Sequence, residues 1–354
     1  MKQKIKNIRK IMSQKNIDLI ILTSKPNTRY LLDIYEPACA VCITKKDSFI
    51  LSSPTDVVKV ENLRKKMKTY TFSSNDKADI KAGKITDAIK KLKINTKTIG
   101  AELSFLPYTS YEKMKEISKY KIIDISQDMF LLRSIKTPEE IRRMKKAAKL
   151  TSKAMKTARE NLRVGITERE LASIVEESFR KNCDWFSFET LVASGRNTAL
   201  IHAMPTDKKI KNTDLVLIDC GMVYKNYCSD MTRTFCLKPG KREKLIYDTV
   251  LNAQKIGLRK LKPGIKSSVI FNQVRNFLKI KKFDLVHGLG HGVGTQVHEE
   301  PSLSLDSETK LRPNMIFTIE PGVYIKNYGG VRIEDMVLLK KNNIEILTNF
   351  PRRL

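Results

Sequence analysis

Histidine is scarce in this chain: four residues in 354, at His202, His287, His291 and His298, and none in the first half. Long apolar runs are missing too. Stretches such as Leu19 to Leu22 and Leu215 to Ile218 are strand-sized, far short of the roughly 20 residues that cross a bilayer, so no membrane span is expected. Lysines mark the N-terminus, but Asp18 and further lysines interrupt any apolar leader core and no small-residue cleavage site follows, so a cytoplasmic protein is expected. Six cysteines in a chain this long do not make a disulfide scaffold, and their apolar surroundings suit reduced, buried thiols. Cys39 and Cys42 form a C-x-x-C without a second pair, which ordinary core cysteines explain better than zinc. Acidic residues are outnumbered, 38 against 67 Lys plus Arg, for a net charge of +29. The lysines run through almost every segment, without aromatic interleaving or zinc-finger spacing, so no specific nucleic-acid partner is expected and the charge reads as a solubilising surface.

Chain length favours two domains, and 41% hydrophobic residues are enough for a core. Ile5, Ile8, Ile11 and Met12 share one face of a helix, and a strand-like segment follows from Asp18 to Thr23. Ala40 to Thr44 and Ser48 to Leu51, joined by Lys45-Lys46-Asp47, form a hairpin pattern; two βα-like units and a strand over Lys121 to Ile125 complete a small α/β domain. The boundary falls near 128–137, giving domains 1–130 and 131–354. Thr137-Pro-Glu-Glu140 is a helix start in which Thr137 caps, Pro138 needs no donor and Glu140 completes a capping box, with the helix running to about Asn161. Thr167-Glu-Arg-Glu170 repeats the box after Gly165. Beyond Phe186 the pattern turns to strands, with a hairpin turn at Lys225-Asn226.

The chemistry concentrates in the second domain. His287-Gly-Leu-Gly-His291-Gly-Val-Gly294 is too rich in glycine for a helix and implies a backbone that approaches something closely. Asp219 ends an apolar run, Asp230 sits across the expected hairpin, and Glu320 and Glu334 occupy similar apolar contexts. A carboxylate in a buried strand costs free energy unless a cation or donors meet it. One such acid is explained by a salt bridge; four together with His291 point to bound cations. Serine catalysis at Ser194 lacks a G-x-S-x-G elbow, and Cys220 and Cys228 read as packing residues.

These residues resemble the pita-bread metallopeptidases, the family of methionine aminopeptidase, aminopeptidase P and prolidase, from about residue 130 onward. The first domain resembles the creatinase-type N-terminal domain of the proline-specific branch. The resemblance implies an α/β N-terminal domain and an α+β pita-bread domain with a curved antiparallel sheet. It implies a ligand set of Asp219, Asp230, His291, Glu320 and Glu334 for two divalent metal ions, with Asp230 and Glu334 bridging and a metal-bridging hydroxide as nucleophile. Oxygen-rich ligation with one imidazole favours manganese and tolerates cobalt or zinc. By the same resemblance His298 bonds the substrate carbonyl and oxyanion, His202 lines the pocket near the leaving proline nitrogen, Glu320 shuttles a proton, and His287 and Arg332 support the ligands. The expected activity is removal of the residue before proline from peptide N-termini by a homodimeric Xaa-Pro aminopeptidase. The rival, Xaa-Pro dipeptidase, needs a cation for the free carboxylate of proline; some relatives carry an arginine just after the segment matching His298-Glu-Glu-Pro301, where this chain has Ser302. A metal-free binding scaffold is the alternative from another class.

Overall fold

The computed structural model of this protein describes residues 1–34, 39–52, 58, 60, 67–71, 94, 96–117 and 120–354. The chain divides between Leu132 and Arg133 into two compact units. Among the described residues no helix is long and apolar enough to cross a membrane.

In the first unit the helix Lys2–Lys15 buries Ile5, Ile8, Ile11 and Met12 and stops at Asn16, which adopts the left-handed conformation that asparagine tolerates at a helix end. The described strands form one mixed sheet in the order Lys68–Thr71, Ser48–Ser52, Cys39–Thr44, Leu19–Leu22, Thr98–Ala101, Lys121–Asp124. Leu19–Leu22 is apolar throughout because both its faces are covered: Ile20 and Leu22 enter one core, Leu19 and Ile21 the other. Cys39 and Cys42 are three apart on one strand, so their side chains leave opposite faces of the sheet and cannot chelate one ion as a pair. Burial pushes the Cys42 thiol far up. Of the two expected βα units, two strands and the helix Tyr108–Ile117 are present, while 72–93 lies outside the described residues.

The second unit opens with the helix Pro138–Asn161. Thr137 Oγ1 accepts the Glu140 amide and Glu140 accepts the Thr137 amide at 2.8 Å, a reciprocal cap whose loss costs about 1 kcal/mol. Thr167 and Glu170 build the same box for Glu168–Arg180. Helices Lys241–Lys260 and Ser267–Ile280 follow, packed on a core that includes Val250, Ile270, Phe317 and Ile319. The strands of this unit pair antiparallel, in four sheets: Met231–Phe235, Val216–Cys220 and Leu191–Ser194; Tyr227–Cys228, Met222–Tyr224 and Trp185–Phe186; five strands from Glu299–Leu303 to Ile344–Ile346; and Gly322–Ile325 with Gly329–Arg332.

The turn at Lys225-Asn226 has positive φ at both residues, 46° and 71°, the twist that suits a two-residue hairpin. The hairpin expected to join Asp219 and Asp230 is nevertheless interrupted. Gly221 lies so close to the Ser229 carbonyl that a Cβ has no room, and the Ser229 hydroxyl takes the Met222 amide at 3.1 Å. Asp219 therefore faces Thr232 across the ladder, and Asp230 stands in the gap before Met231.

Candidate metal centre

A cavity of about 520 Å³ in the second unit is lined by all nine residues singled out from the sequence: His202, Asp219, Asp230, His287, His291, His298, Glu320, Arg332 and Glu334. They arrive from separate segments, of which Asp219, His291 and Arg332 lie within strands. Asp219 and Asp230 flank the break just described. His291 lies in Gly290–Gly292, between the strands Glu299–Leu303 and Ile316–Ile319. Glycine is required on both sides of it: a Cβ at Gly290 would strike the Thr318 carbonyl and one at Gly292 the Glu300 carbonyl. This close passage of three backbones is what the glycine-rich segment achieves. Glu320 follows Ile316–Ile319, and Glu334 precedes Asp335–Leu339.

One ligand atom each from Asp230, His291 and Glu334 lies within 4.8 Å of the other two, a spacing that can hold a cation. His291 Nε2 is 3.5 Å from Asp230 Oδ2 and 3.3 Å from Glu320 Oε1. The Gly292 carbonyl sits 3.1 Å from the other ring nitrogen; a carbonyl only accepts, so Nδ1 carries the proton and Nε2 turns a lone pair toward two carboxylates. Burial lowers the His291 pKa, so a proton does not relieve that arrangement near neutrality, whereas a divalent cation does.

The acids tell the same story. Burial, then the charges of Glu334, Asp219 and Glu320, hold the Asp230 carboxyl well above the usual carboxylate range. Burial, then Glu320 and Asp219, do the same to Glu334, and burial raises Glu320. Asp219 Oδ1 and Glu334 Oε1 are buried without a hydrogen-bond partner among the described residues. Orphaned buried oxygens are costly, and four carboxylates with one imidazole form a hard donor set suited to divalent ions.

Arg332 is the cation that meets this cluster. It donates from Nη2 to Asp219 Oδ2 at 2.6 Å, from Nη1 to Tyr324 Oη at 2.8 Å and from Nε to Thr232 Oγ1 at 3.1 Å. Thr232 in turn donates to Glu334 Oε2 at 2.7 Å. His287 donates from Nδ1 to the Gly288 carbonyl at 2.7 Å, which leaves Nε2 to accept from Tyr324 Oη at 3.0 Å. A directed chain thus runs from Arg332 through Tyr324 to His287. The His298 ring stands edge-on to His291 with centroids 4.2 Å apart; burial, then the neighbouring His291, lowers its pKa. His202 is an exposed residue at the cavity wall.

Sequence reasoning missed several residues that position these groups. Tyr324 occupies a slot cleared by Gly322 and Gly330, whose Cβ atoms would overlap its ring. Arg233, 1% exposed, donates to the Glu334 carbonyl at 2.6 Å and pairs with Asp335 at 2.7 Å. Glu299, beside His298, is buried against Arg133 at 3.2 Å and Lys136 at 3.5 Å. For Arg233 the available signal was a charged residue inside a strand expected to be buried; Tyr324 and Glu299 carry no such mark in the sequence.

Comparison with known proteins finds two matching family profiles, metallopeptidase family M24 over residues 142–341 and the creatinase/prolidase N-terminal domain over residues 4–135. The Xaa-Pro dipeptidase of Pyrococcus furiosus is 35% identical over 362 aligned positions that cover 100% of both chains. Among solved structures, the Xaa-Pro dipeptidase from Bacillus anthracis superposes with a TM-score of 0.91 at 32% identity, covering 99% of this chain and 98% of that one. The X-Pro aminopeptidase from Thermotoga maritima gives 0.84 at 29% identity, covering 96% and 97%.

Proposed function

The chain belongs to metallopeptidase family M24, and from that premise we propose that it is an Xaa-Pro dipeptidase, hydrolysing the bond between a first residue and a terminal proline. The likeness of the whole chain, end to end, to proteins named Xaa-Pro dipeptidase carries this reading. It reverses the preference drawn from Ser302, which placed the aminopeptidase first. The metal-free scaffold is set aside, since the family is one of metallopeptidases and the donor set is unbroken.

Asp219, Asp230, His291, Glu320 and Glu334 would hold two divalent ions, with manganese the favoured pair. Ions bound there supply Lewis acidity, acidifying a water and polarising the scissile carbonyl. The remaining work falls to side chains. His298, beside His291, donates to the carbonyl oxygen as negative charge grows on it. Glu320 takes the proton of the attacking water and passes it to the departing proline nitrogen. His202 faces the leaving group from the cavity wall. Arg332, Tyr324 and His287 keep Asp219 oriented. Homodimer assembly belongs to the same reading, and light scattering of the purified protein tests it.

The second reading, Xaa-Pro aminopeptidase, is favoured by one observation. Ser302 lines the cavity, and among its described lining residues Arg332 is the sole Lys or Arg, already committed to Asp219, Tyr324 and Thr232. A free proline carboxylate would need another donor. Turnover of an Xaa-Pro dipeptide against an Xaa-Pro-Xaa tripeptide sharing its first two residues, after manganese is added to stripped enzyme, separates the readings. Preference for the dipeptide supports the first. Exclusive cleavage of the tripeptide transfers the assignment to the second, and no cleavage of either overturns both.

A further inference from the structure

Glu168 belongs to the second capping box by position but not by chemistry. Thr167 and Glu170 complete that cap between themselves, yet Glu168 is fully buried. Its Oε1 accepts the Ser194 amide at 2.6 Å, the Ser194 hydroxyl at 2.7 Å and the Asn197 amide nitrogen at 3.1 Å. Its Oε2 accepts the Thr206 amide at 3.0 Å and the Thr206 hydroxyl at 2.6 Å, with Asn197 again at 3.3 Å. One carboxylate therefore ties together the two ends of the segment 195–205. That segment carries Ile201, His202, Ala203 and Met204 into the cavity wall.

Inside the loop, support is thin. Thr198 bonds the Gly195 carbonyl at 2.6 Å and receives the Gly330 amide at 2.7 Å, the Leu200 amide reaches Asn197 at 3.0 Å, and at the ends the Gly195 amide reaches the Leu215 carbonyl at 2.8 Å and the Thr206 carbonyl accepts the Arg169 amide at 3.1 Å. His202 makes no hydrogen bond or ion pair of its own among the described residues. Its imidazole stands where the backbone puts it, and Glu168 is the side chain that bridges the two ends of that backbone. The Ser194 hydroxyl is directed as well: Lys208 Nζ donates to it at 2.7 Å, leaving its proton for Glu168.

We infer that Glu168 is a positioning residue for the reaction, a buried clasp that fixes the His202 loop against the metal cavity. The inference rests on the reading in which His202 faces the substrate. Backbone amides only donate, so the clasp needs acceptors at both ends. A glutamine keeps one acceptor and turns an NH₂ toward a backbone N–H at the other, opening one end of the loop with nearly unchanged volume.

The test is Glu168→Gln on the full chain, alone and combined with His202→Ala, read by hydrogen–deuterium exchange and by steady-state kinetics of the manganese-loaded protein. Exchange should accelerate about tenfold or more in peptides from 195–205 and stay unchanged in those carrying the metal ligands. Displacing a reacting group by an ångström costs about 100-fold, so kcat/KM should fall by about 10- to 100-fold with His202 present and less than about twofold with alanine there. Equal losses in both backgrounds, or exchange rising throughout the unit, overturn the inference and leave Glu168 as a purely structural residue. Should Glu168→Gln fail to fold, Thr206→Val removes a single hydroxyl from the clasp and must show the same pattern at smaller amplitude. If the wild type hydrolyses neither peptide, the peptidase reading fails; local acceleration of exchange then upholds the clasp, and its absence refutes it.

Discussion

Replacing Arg332 by methionine isolates the electrostatics of the metal centre. The guanidinium lies 2.6 Å from Asp219 with side-chain exposures of 4% and 15%, and removing one partner of such a buried pair costs about 3–5 kcal/mol. The loss has a ceiling, because the carboxylate cluster can take a proton instead. Protonating an ordinary carboxyl of pKa about 3.9 costs about 1.36 kcal/mol per pH unit, hence about 4 kcal/mol at pH 7 and about 1.5 kcal/mol at pH 5. A unit of this size loses about 2–4 °C of melting temperature per kcal/mol, which gives about 8–16 °C at pH 7 and about 3–6 °C at pH 5 for metal-stripped protein. The sign follows from linkage: the folded variant holds a proton that its unfolded chain has released, so its stability falls as pH rises through that range. Manganese neutralises the same cluster, so loading should narrow the gap between variant and wild type. Differential scanning calorimetry of both proteins, stripped and loaded, at the two pH values measures all of this. A gap independent of pH and of manganese would refute the reasoning and reduce Arg332 to a packing residue.

Metal binding should release protons. Asp230, Glu320 and Glu334 are raised first by burial and further by neighbouring carboxylates, so the metal-free fold holds protons that the unfolded chain loses first; its stability declines as pH rises through the raised values, and cation affinity climbs. Calorimetric titration with manganese at pH 6 in buffers of different ionisation enthalpy should reveal at least one proton released, and identical heats in all buffers would count against the ligand set. Ser302→Arg should place a cation in the cavity and raise kcat/KM for an Xaa-Pro dipeptide over its C-terminal amide by about 10- to 100-fold, the worth of a charged hydrogen bond; equal change for both peptides would mean that the free carboxylate does not bind there. Tyr324→Phe removes the hydroxyl between Arg332 and His287 at a net cost of about 1–2 kcal/mol, and nitrogen NMR should show the His287 ring losing its single tautomer while manganese still binds. An unchanged ring spectrum would argue against the directed chain.

The acids of the site were legible because they violate a local rule. Asp219, Asp230, Glu320 and Glu334 each stand in or directly beside an apolar strand, and that conflict is visible within a five-residue window. The helix starts at Thr137 and Thr167 were legible for the opposite reason, since every residue of each box agrees with the cap it forms. What could not be read is the chemistry that depends on pairing across the fold. The Gly221–Ser229 approach that splits the hairpin needs the strands already in register. Tyr324 is an ordinary strand tyrosine until Gly322 and Gly330 are seen to clear its slot.

Glu168 shows the limit most sharply. A capping box accounts for Thr167 and Glu170 so well that the acid between them looks like a favourable first-turn charge, and its donors wait 26 to 38 residues away at Ser194 and Thr206. A motif that explains its own residues can conceal a neighbour whose partners are distant. Burial separates the two cases: a first-turn glutamate that only serves the helix dipole stays in water, as Glu170 does, whereas Glu168 has left water entirely and must be judged by the donors that replaced it. The same criterion bears on Ser302. A serine at the cavity wall excludes carboxylate capture only if no other donor reaches that wall, and how a bound dipeptide is held is a property of the whole cavity that no single position decides.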